Sequence, residues 1–208
     1  MVKWMNAKPK EGIVIVTVFE GNRTEWESAT LEELYERMGQ LKEDPETQEV
    51  IVIREQAKEE PAKKTENSSL TPEEYERARE SLLEAMRRFP IPSIVVIEGR
   101  AAGDFLEFAL LCDFRLAAED AQLDFGVENG RLPSVAALRR LSGLIGEMKV
   151  KELFFSGSIL CARQAAQLGL ISKVEETEHL MAEAIELAKT IRKTDPELIA
   201  HVRGALND

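Results

Sequence analysis

Short runs of consecutive apolar residues alternate along this chain with longer stretches in which apolar residues recur every three or four positions. The short runs are rich in β-branched residues, which is typical of buried strands, and they lie at 12–19, 49–53 and 93–99. The periodic stretches predict amphipathic helices, of which the first has apolar positions at Leu31, Leu34, Tyr35, Met38 and Leu41. Strands that alternate with helices indicate an α/β domain with crossover connections.

Capping residues indicate where several helices begin and end. Thr71 is followed by Pro72 and two glutamates, a strong helix start, and this helix is predicted to run to about Arg88. Gly169 is expected to end a short helix in the left-handed conformation, and Asp195 is expected to cap the last helix. Between the second strand and the Thr71 helix, residues 54–69 are polar and lack glycine, which favours a mobile loop.

The charge and the cysteine content exclude several classes of protein. The formal net charge of −11, without a basic stripe, argues against binding to nucleic acid or to an anionic membrane, and an anionic ligand would need a local basic pocket. Cys112 and Cys161 have apolar neighbours and no CxxC partner, which favours buried, inert thiols in a reducing compartment. No apolar run approaches 18 residues and the N-terminus has no secretory pattern, so we expect a soluble cytoplasmic protein.

Histidine and metal chemistry find little support in the sequence. The only two histidines, His179 and His201, lie beside charged residues in late amphipathic helices, where solvent-exposed side chains are expected. A Ser-His-Asp triad is therefore not predicted, and no His/Cys cluster has the spacing of metal ligands. We expect no bound metal.

The segment 98–114 holds the strongest candidate for chemistry. A strand leads through a glycine-containing turn at Gly103 into a helix with Asp104 and Glu107 on one face. The first N–H groups of such a helix lack partners within the helix and suit a developing oxyanion. A carboxylate in an apolar helix is costly unless it is paired or functional, which favours a role for Glu107, whereas Asp104 is expected to be an N-terminal cap.

Three long segments, at 91–125, 132–146 and 156–174, resemble the enoyl-CoA hydratase/isomerase family, also called the crotonase superfamily. The first, IPSIVVIEGRAAGDFLEFALLCDFRLAAEDAQLDF, is similar to the family's stretch around its first catalytic glutamate. The others, LPSVAALRRLSGLIG and SGSILCARQAAQLGLISKV, are similar to the two conserved stretches that follow it. The resemblance extends from about Gly12 to Leu206.

This resemblance implies an α/β fold of the crotonase type, a spiral of repeated ββα units. We divide the chain into a core domain, 1–175, and a C-terminal helical segment, 176–208. The family binds acyl-CoA or acyl-carrier thioesters, so coenzyme A is expected as part of the substrate and no separate cofactor is predicted. The family also commonly forms trimers or dimers of trimers, and an apolar face of the helix at 178–190 is a candidate contact.

The resemblance also assigns roles to individual residues. Glu107 takes the place of the family's first catalytic glutamate, and the backbone of Gly103, Asp104 and Phe105 takes the place of one half of the oxyanion hole. Asp104 replaces a glycine there, so its carboxylate must turn away or be protonated. The second glutamate corresponds to Val127 in strict register, and Glu128 reaches that place if a deletion shifts the alignment.

The family's glycine-rich turn, which supplies the second oxyanion N–H, has no counterpart here, since no glycine lies between Gly39 and Gly99. Arg54 and Lys58 of this region are candidate contacts for the CoA phosphates, although a solvated charged loop is the simpler interpretation. The predicted function is an acid/base reaction of the hydratase/isomerase type on an acyl thioester. Two alternatives stay open: a binding or assembly subunit that has lost the chemistry, and a decarboxylase or hydrolase of the same fold.

Overall fold

Nine strands and eight helices make up the part of the chain that the structure, a computed structural model, describes. The described residues are 2–6, 13–18, 26, 28–43, 50–55, 70–127 and 132–207. The strands are β1 Val2–Asn6, β2 Ile13–Val18, β3 Val50–Glu55, β4 Ser93–Ile97, β5 Arg100–Ala102, β6 Phe114–Ala118, β7 Gln122–Asp124, β8 Ile159–Cys161 and β9 Lys173–Glu175. The helices are α1 Ser28–Glu43, α2 Pro72–Arg87, α3 Gly103–Leu111, α4 Val135–Ile145, α5 Glu147–Ser156, α6 Ala162–Gln167, α7 Thr177–Ile191 and α8 Pro196–Asn207.

The strands form two sheets that are linked by repeated units. The larger sheet has the order β1-β2-β3-β4-β6-β9, and only the β1–β2 pair in it is antiparallel. The smaller sheet has the order β5-β7-β8. Two successive ββα units, β4-β5-α3 and β6-β7-α4, each place their first strand in the larger sheet and their second strand in the smaller one. The predicted α/β spiral of ββα units is therefore confirmed.

The core includes the larger sheet with α7 packed against it, and α3, which packs against α2, α4 and the smaller sheet. Every residue of β4 is buried, which explains why its sequence is continuously apolar instead of alternating. From Asp104 to Leu111, α3 is buried as well. The inward face of α7, with Leu180, Ala184 and Ala188, belongs to the same core. Because that apolar face packs within the chain, it is not the free contact surface that we expected at 178–190.

Several predicted element boundaries are confirmed by the local geometry. Thr71 caps α2 in a full capping box with Glu74, Gly169 has a φ of +79° after α6, and Asp195 accepts a bond from the Glu197 N–H at the start of α8. Short strands are also predicted from the sequence at FRLAAED, AQLDF and ISKVEE, and β6, β7 and β9 confirm them. The strands β1, β5 and β8 were not predicted, since runs of three to five residues carry little periodic signal. The stretch 134–156 is two helices, because Gly146 adopts a φ of +80° and breaks it.

Candidate active site

The two candidate carboxylates lie at the start of α3, where the chain enters the helix from β5. Ala102 is the N-cap and Gly103 takes a φ of 50°, a conformation that glycine adopts without strain. Asp104 and Glu107 follow in the first turns and are 2% and 7% exposed. Buried carboxylates require partners, because desolvation of an unpaired charge costs several kcal/mol (order of magnitude).

The partner of both carboxylates is Arg79, a residue of α2 that is itself 2% exposed. Its Nε donates to Asp104 Oδ1 at 2.8 Å, and one terminal nitrogen donates to Glu107 Oε1, also at 2.8 Å. The same terminal nitrogen donates to the carbonyl of Leu132 at 3.1 Å, and the other one pairs with the partly exposed Glu76 at 3.2 Å. A single guanidinium therefore links α2 to α3 and to the segment before α4.

The second oxygen of Asp104 is held by two groups outside α3. The Tyr75 hydroxyl lies 2.5 Å from Asp104 Oδ2 and 2.8 Å from the carbonyl oxygen of Trp26. The backbone N–H of Trp26 donates to the same Asp104 Oδ2 at 2.9 Å. The expectation that Asp104 caps α3 is therefore wrong, since Ala102 is the N-cap and the Asp104 side chain instead faces α2 and residue 26.

The second oxygen of Glu107 accepts a bond from the N–H of Ser134 at 2.9 Å. Ser134 is the N-cap of α4, and its hydroxyl accepts a bond from the N–H of Ala137 at 3.2 Å. The position of the Glu107 carboxylate is thus fixed from two sides, by Arg79 on α2 and by the first turn of α4. Glu107 is an acceptor in both contacts, as an ionised carboxylate must be.

The electrostatics of this cluster favour charged side chains. Burial lowers the pKa of Arg79, but the attraction of Glu107 and Asp104 outweighs that effect and leaves the pKa above its ordinary value. Arg79 therefore stays cationic throughout the physiological range. One buried cation faces two buried carboxylates, so the cluster carries a net negative charge.

The structure brings together some of the predicted site residues. Gly103, Asp104, Phe105 and Glu107 share the first turns of α3, and Phe105 packs against Trp26 with ring centroids 6.3 Å apart. Arg54 belongs to β3, where only the backbone is described, instead of to the predicted loop. Lys58 and Glu128 lie outside the described residues, so their predicted roles stay predictions. Val127 is 47% exposed.

Arg79 is the site residue that sequence reasoning missed. It lies on the inward face of α2, one turn after Tyr75 and one turn before Leu82 and Leu83, all of which are buried. A charged residue in the middle of an apolar helical stripe was the available signal, since an unpaired charge is rarely buried there. The signal indicates a buried partner but does not identify it.

The described residues give no support to a metal site or to a membrane-spanning helix. Among them, the cluster with metal-ligand spacing is Glu176, Glu178 and His179, which is exposed at the start of α7. Exposed acidic groups of this kind are common without an ion. His179 is surface-exposed as predicted, beside Glu176. Within the described ranges, no helix is long and apolar enough to cross a bilayer.

Comparisons with known proteins agree on one family. The sequence profile described as Enoyl-CoA hydratase/isomerase matches residues 26–208. A probable enoyl-CoA hydratase of Bacillus subtilis is 39% identical over 130 residues, which are 62% of this chain and 48% of that protein. An enoyl-CoA isomerase/hydratase of Mycosarcoma maydis is 35% identical over 128 residues, 61% of this chain and 47% of that protein. The chain thus spans about half the length of these curated relatives.

The similarity extends to solved structures. The crystal structure of an enoyl-CoA hydratase from Bacillus anthracis superimposes with a TM-score of 0.81 and 26% identity, and it covers 100% of this chain and 82% of that one. A family protein from Silicibacter pomeroyi gives a TM-score of 0.82 at 20% identity, over 100% of this chain and 90% of that one, which speaks for the fold alone. With the profile match over most of its length, the chain belongs to the enoyl-CoA hydratase/isomerase family.

Proposed function

We propose that the protein binds an acyl thioester at the N-terminus of α3 and uses Glu107 as an acid/base carboxylate, the one that the described residues hold in a fixed position at this helix end. Such a site suits double-bond isomerisation better than hydration. The observation that carries the proposal is the fixed carboxylate of Glu107, held between Arg79 and the Ser134 N–H in the first turns of α3. The names of the relatives, which include both hydratases and isomerases, support the substrate class.

The contacts of Asp104 make an oxyanion site at the N-terminus of α3 compatible with the negative charge of this residue. A free carboxylate beside a thioester oxygen would oppose the negative charge that develops there. Asp104 is instead bonded to Arg79, Tyr75 and the Trp26 N–H, so its charge is compensated on the side that faces α2. The positive end of the α3 dipole then acts on a ligand oxygen with less opposition.

Among the described residues, Asp104 is engaged by Arg79, Tyr75 and the Trp26 N–H, which leaves Glu107 for proton transfer, and the number of such carboxylates distinguishes isomerisation from hydration. Hydration needs one group to activate water and another to deliver a proton, whereas moving a double bond requires one group that removes a proton and returns it. Glu107 accepts one bond on each oxygen from the described residues, and each carboxylate oxygen has two acceptor positions. Glu107 therefore retains capacity to accept a proton from a substrate.

Binding without turnover is a second candidate, and the Arg79 contact is the observation that favours it. The ion pair and the Ser134 N–H engage both oxygens of Glu107, and a carboxylate held in this way can support the structure of a binding site without acting as a base. A decarboxylase is disfavoured by the charge of this cluster. Its acyl group carries an additional carboxylate, which would meet two buried carboxylates that already share one cation.

The test is an activity assay with two substrates. Purified protein is given a 3-enoyl-CoA, to measure isomerisation, and crotonyl-CoA, to measure hydration, while calorimetry measures acyl-CoA binding. We expect isomerisation without hydration, and we expect Glu107→Gln to lower the isomerisation rate by about 10²–10⁴-fold, the usual contribution of an acid/base group. The matched control is Glu119→Gln, a change at an exposed glutamate, which should keep the full rate.

The outcomes separate the candidates. Equal isomerisation by wild type and Glu107→Gln contradicts the proposed role of Glu107. Acyl-CoA binding with a micromolar Kd but without turnover supports the second candidate in place of the first. Absence of any binding contradicts both.

A further inference from the structure

Arg79 joins the two carboxylates that begin α3, and its contacts give it a function of its own. We infer that Arg79 is a positioning residue for Glu107 and that Asp104 is the fixed counter-ion that holds Arg79 in place. The inference rests on the proposed role of Glu107 as the acid/base group. It concerns how that group is oriented, and it assigns a role to the aspartate that replaces the family's glycine.

The geometry matches a planar, forked donor. The Nε of Arg79 is bonded to Asp104 and a terminal nitrogen to Glu107, both at 2.8 Å, so the plane of the guanidinium is fixed by one carboxylate and presented to the other. Arginine is suited to this task because its donors lie in a rigid fork, whereas the lysine ammonium is a compact point charge on a flexible stem. After Arg79→Lys, the ammonium group is thus expected to form a good ion pair with one of the two carboxylates and a poor one with the other.

Asp104 is itself anchored from outside α3. The Tyr75 hydroxyl and the Trp26 N–H lie 2.5 Å and 2.9 Å from its second oxygen. These contacts leave Asp104 little rotational freedom, so it provides a fixed reference point for the guanidinium. Residue 26 and Tyr75 thus hold Asp104, Asp104 holds Arg79, and Arg79 holds Glu107.

Arg79 and Asp104 each offset an unfavourable effect of burying the other. Asp104 without Arg79 would leave an uncompensated charge at a buried helix start. Arg79 without Asp104 would keep Glu107 as its buried counter-ion among the described residues, but the carboxylate that fixes the plane of its guanidinium would be lost. With both present, the attraction of Arg79 is divided between two carboxylates. The replacement of the glycine by Asp104 and the presence of Arg79 in α2 are therefore one structural feature.

The kinetic test compares a set of matched variants. Arg79→Met, Asp104→Asn and the double variant are measured for isomerisation, together with Arg79→Lys and with Arg77→Met, a control at an exposed arginine of the same helix. For Arg79→Met we expect kcat to fall by about 10–100-fold with KM changed by less than about threefold, because substrate contacts are kept and only the orientation of Glu107 is lost. Arg79→Lys is expected to recover part of kcat.

The double variant is the decisive member of this set. If Asp104 acts only through Arg79, removing both residues costs no more in kcat than removing Arg79 alone. The double variant removes one cation and one carboxylate and so keeps the net charge of the cluster, and we expect it to be less destabilised than Arg79→Met and to remain measurable if that single variant fails to fold. Additive losses in kcat, or a kcat of Arg79→Met at or above that of wild type, overturn the inference.

A second measurement is independent of turnover. Amide hydrogen exchange reports whether Glu107 still holds the Ser134 N–H, and in the double variant we expect the protection of that amide to fall about tenfold or more. The amide of Ala184, buried in α7, is the reference and should change by less than about threefold, since a local effect leaves α7 intact. Unchanged protection of Ser134 overturns the inference. If wild type has no turnover, the isomerase proposal fails by itself and this exchange measurement still decides the role of Arg79.

Discussion

Arg79 and Glu107 are 28 positions apart in the sequence, yet their side chains meet at 2.8 Å between α2 and α3. Asp104, 25 positions from Arg79, accepts from the Nε of the same guanidinium at the same distance. No sequence motif indicated Arg79, whereas the family resemblance indicated Glu107 most clearly, and the two side chains are in contact. This contact makes the start of α3 a buried charge cluster, and the stability and the chemistry of the site both depend on it.

Replacing Arg79 by methionine should strongly destabilise the fold. The change leaves Asp104 and Glu107 buried without their cation, and breaking a buried ion pair from one side costs about 3–5 kcal/mol. Denaturant unfolding measures this loss, with Arg77→Met as the exposed control, expected to stay within about 0.5 kcal/mol of wild type. If both variants unfold at the same denaturant concentration as wild type, the cluster does not stabilise the protein as described.

Removal of the Tyr75 hydroxyl should have a smaller but clear effect on the free energy of unfolding. Tyr75→Phe keeps the buried ring and deletes the group 2.5 Å from Asp104, and a hydrogen bond to a charged group contributes about 1.5–3 kcal/mol. Tyr35→Phe is the matched control, because Tyr35 is 50% exposed on α1. A loss for Tyr75→Phe no larger than that for Tyr35→Phe would show that the hydroxyl does not support Asp104.

The two cysteines should react very differently with a thiol reagent. Burial raises the pKa of the Cys112 thiol to about 12, so essentially no thiolate forms there at neutral pH, whereas Cys161 is exposed. The prediction that both thiols are buried is therefore wrong for Cys161. A colorimetric thiol assay at pH 8 should detect one reactive group per folded chain and a second one after denaturation. Two rapidly reacting thiols in the folded protein would contradict this assignment.

Two neighbouring glycines in the α4–α5 region should respond in opposite directions to alanine. Gly146 has φ +80° and ψ 151°, a region that side chains rarely occupy, so Gly146→Ala should cost about 1–3 kcal/mol. Gly143 lies within α4 with open space around its Cα, so Gly143→Ala should stabilise the protein by about 0.5–1 kcal/mol. Thermal and denaturant unfolding compare the two, and a stabilising Gly146→Ala would contradict the observed backbone.

Self-association is expected from the family resemblance, and α5 offers a surface for it. Met148 and Phe155 are 85% and 86% exposed and lie seven positions apart, on one face of that helix. We expect wild type to associate in sedimentation experiments and the Met148→Glu, Phe155→Glu double variant to shift towards monomer. Tyr35→Glu is the control at an exposed apolar position on another helix. A monomeric wild type at high concentration would contradict the expectation.

Local patterns predicted most of the fold correctly. The capping box at Thr71, the glycine after α6 and the continuous apolar run of β4 each depend on interactions within a few residues, or on burial that the sequence itself records. Two short strands of the smaller sheet, β5 and β8, were missed because their pairing partners are distant in the sequence. Their hydrogen bonds, such as that from Gln122 to Gly99, follow from the way in which the units stack.

The sequence by itself determined the α/β class, the family, and the placement of Glu107 and Asp104 in the first turns of a buried helix. Only the tertiary structure decided what those two carboxylates contact. Arg79 reaches both because the packing of α2 against α3 sets the distance between their side chains to hydrogen-bonding range, and no local pattern encodes that distance. Because charges in a buried site must be paired, this packing also decided that Asp104 is the counter-ion of an arginine instead of a helix cap.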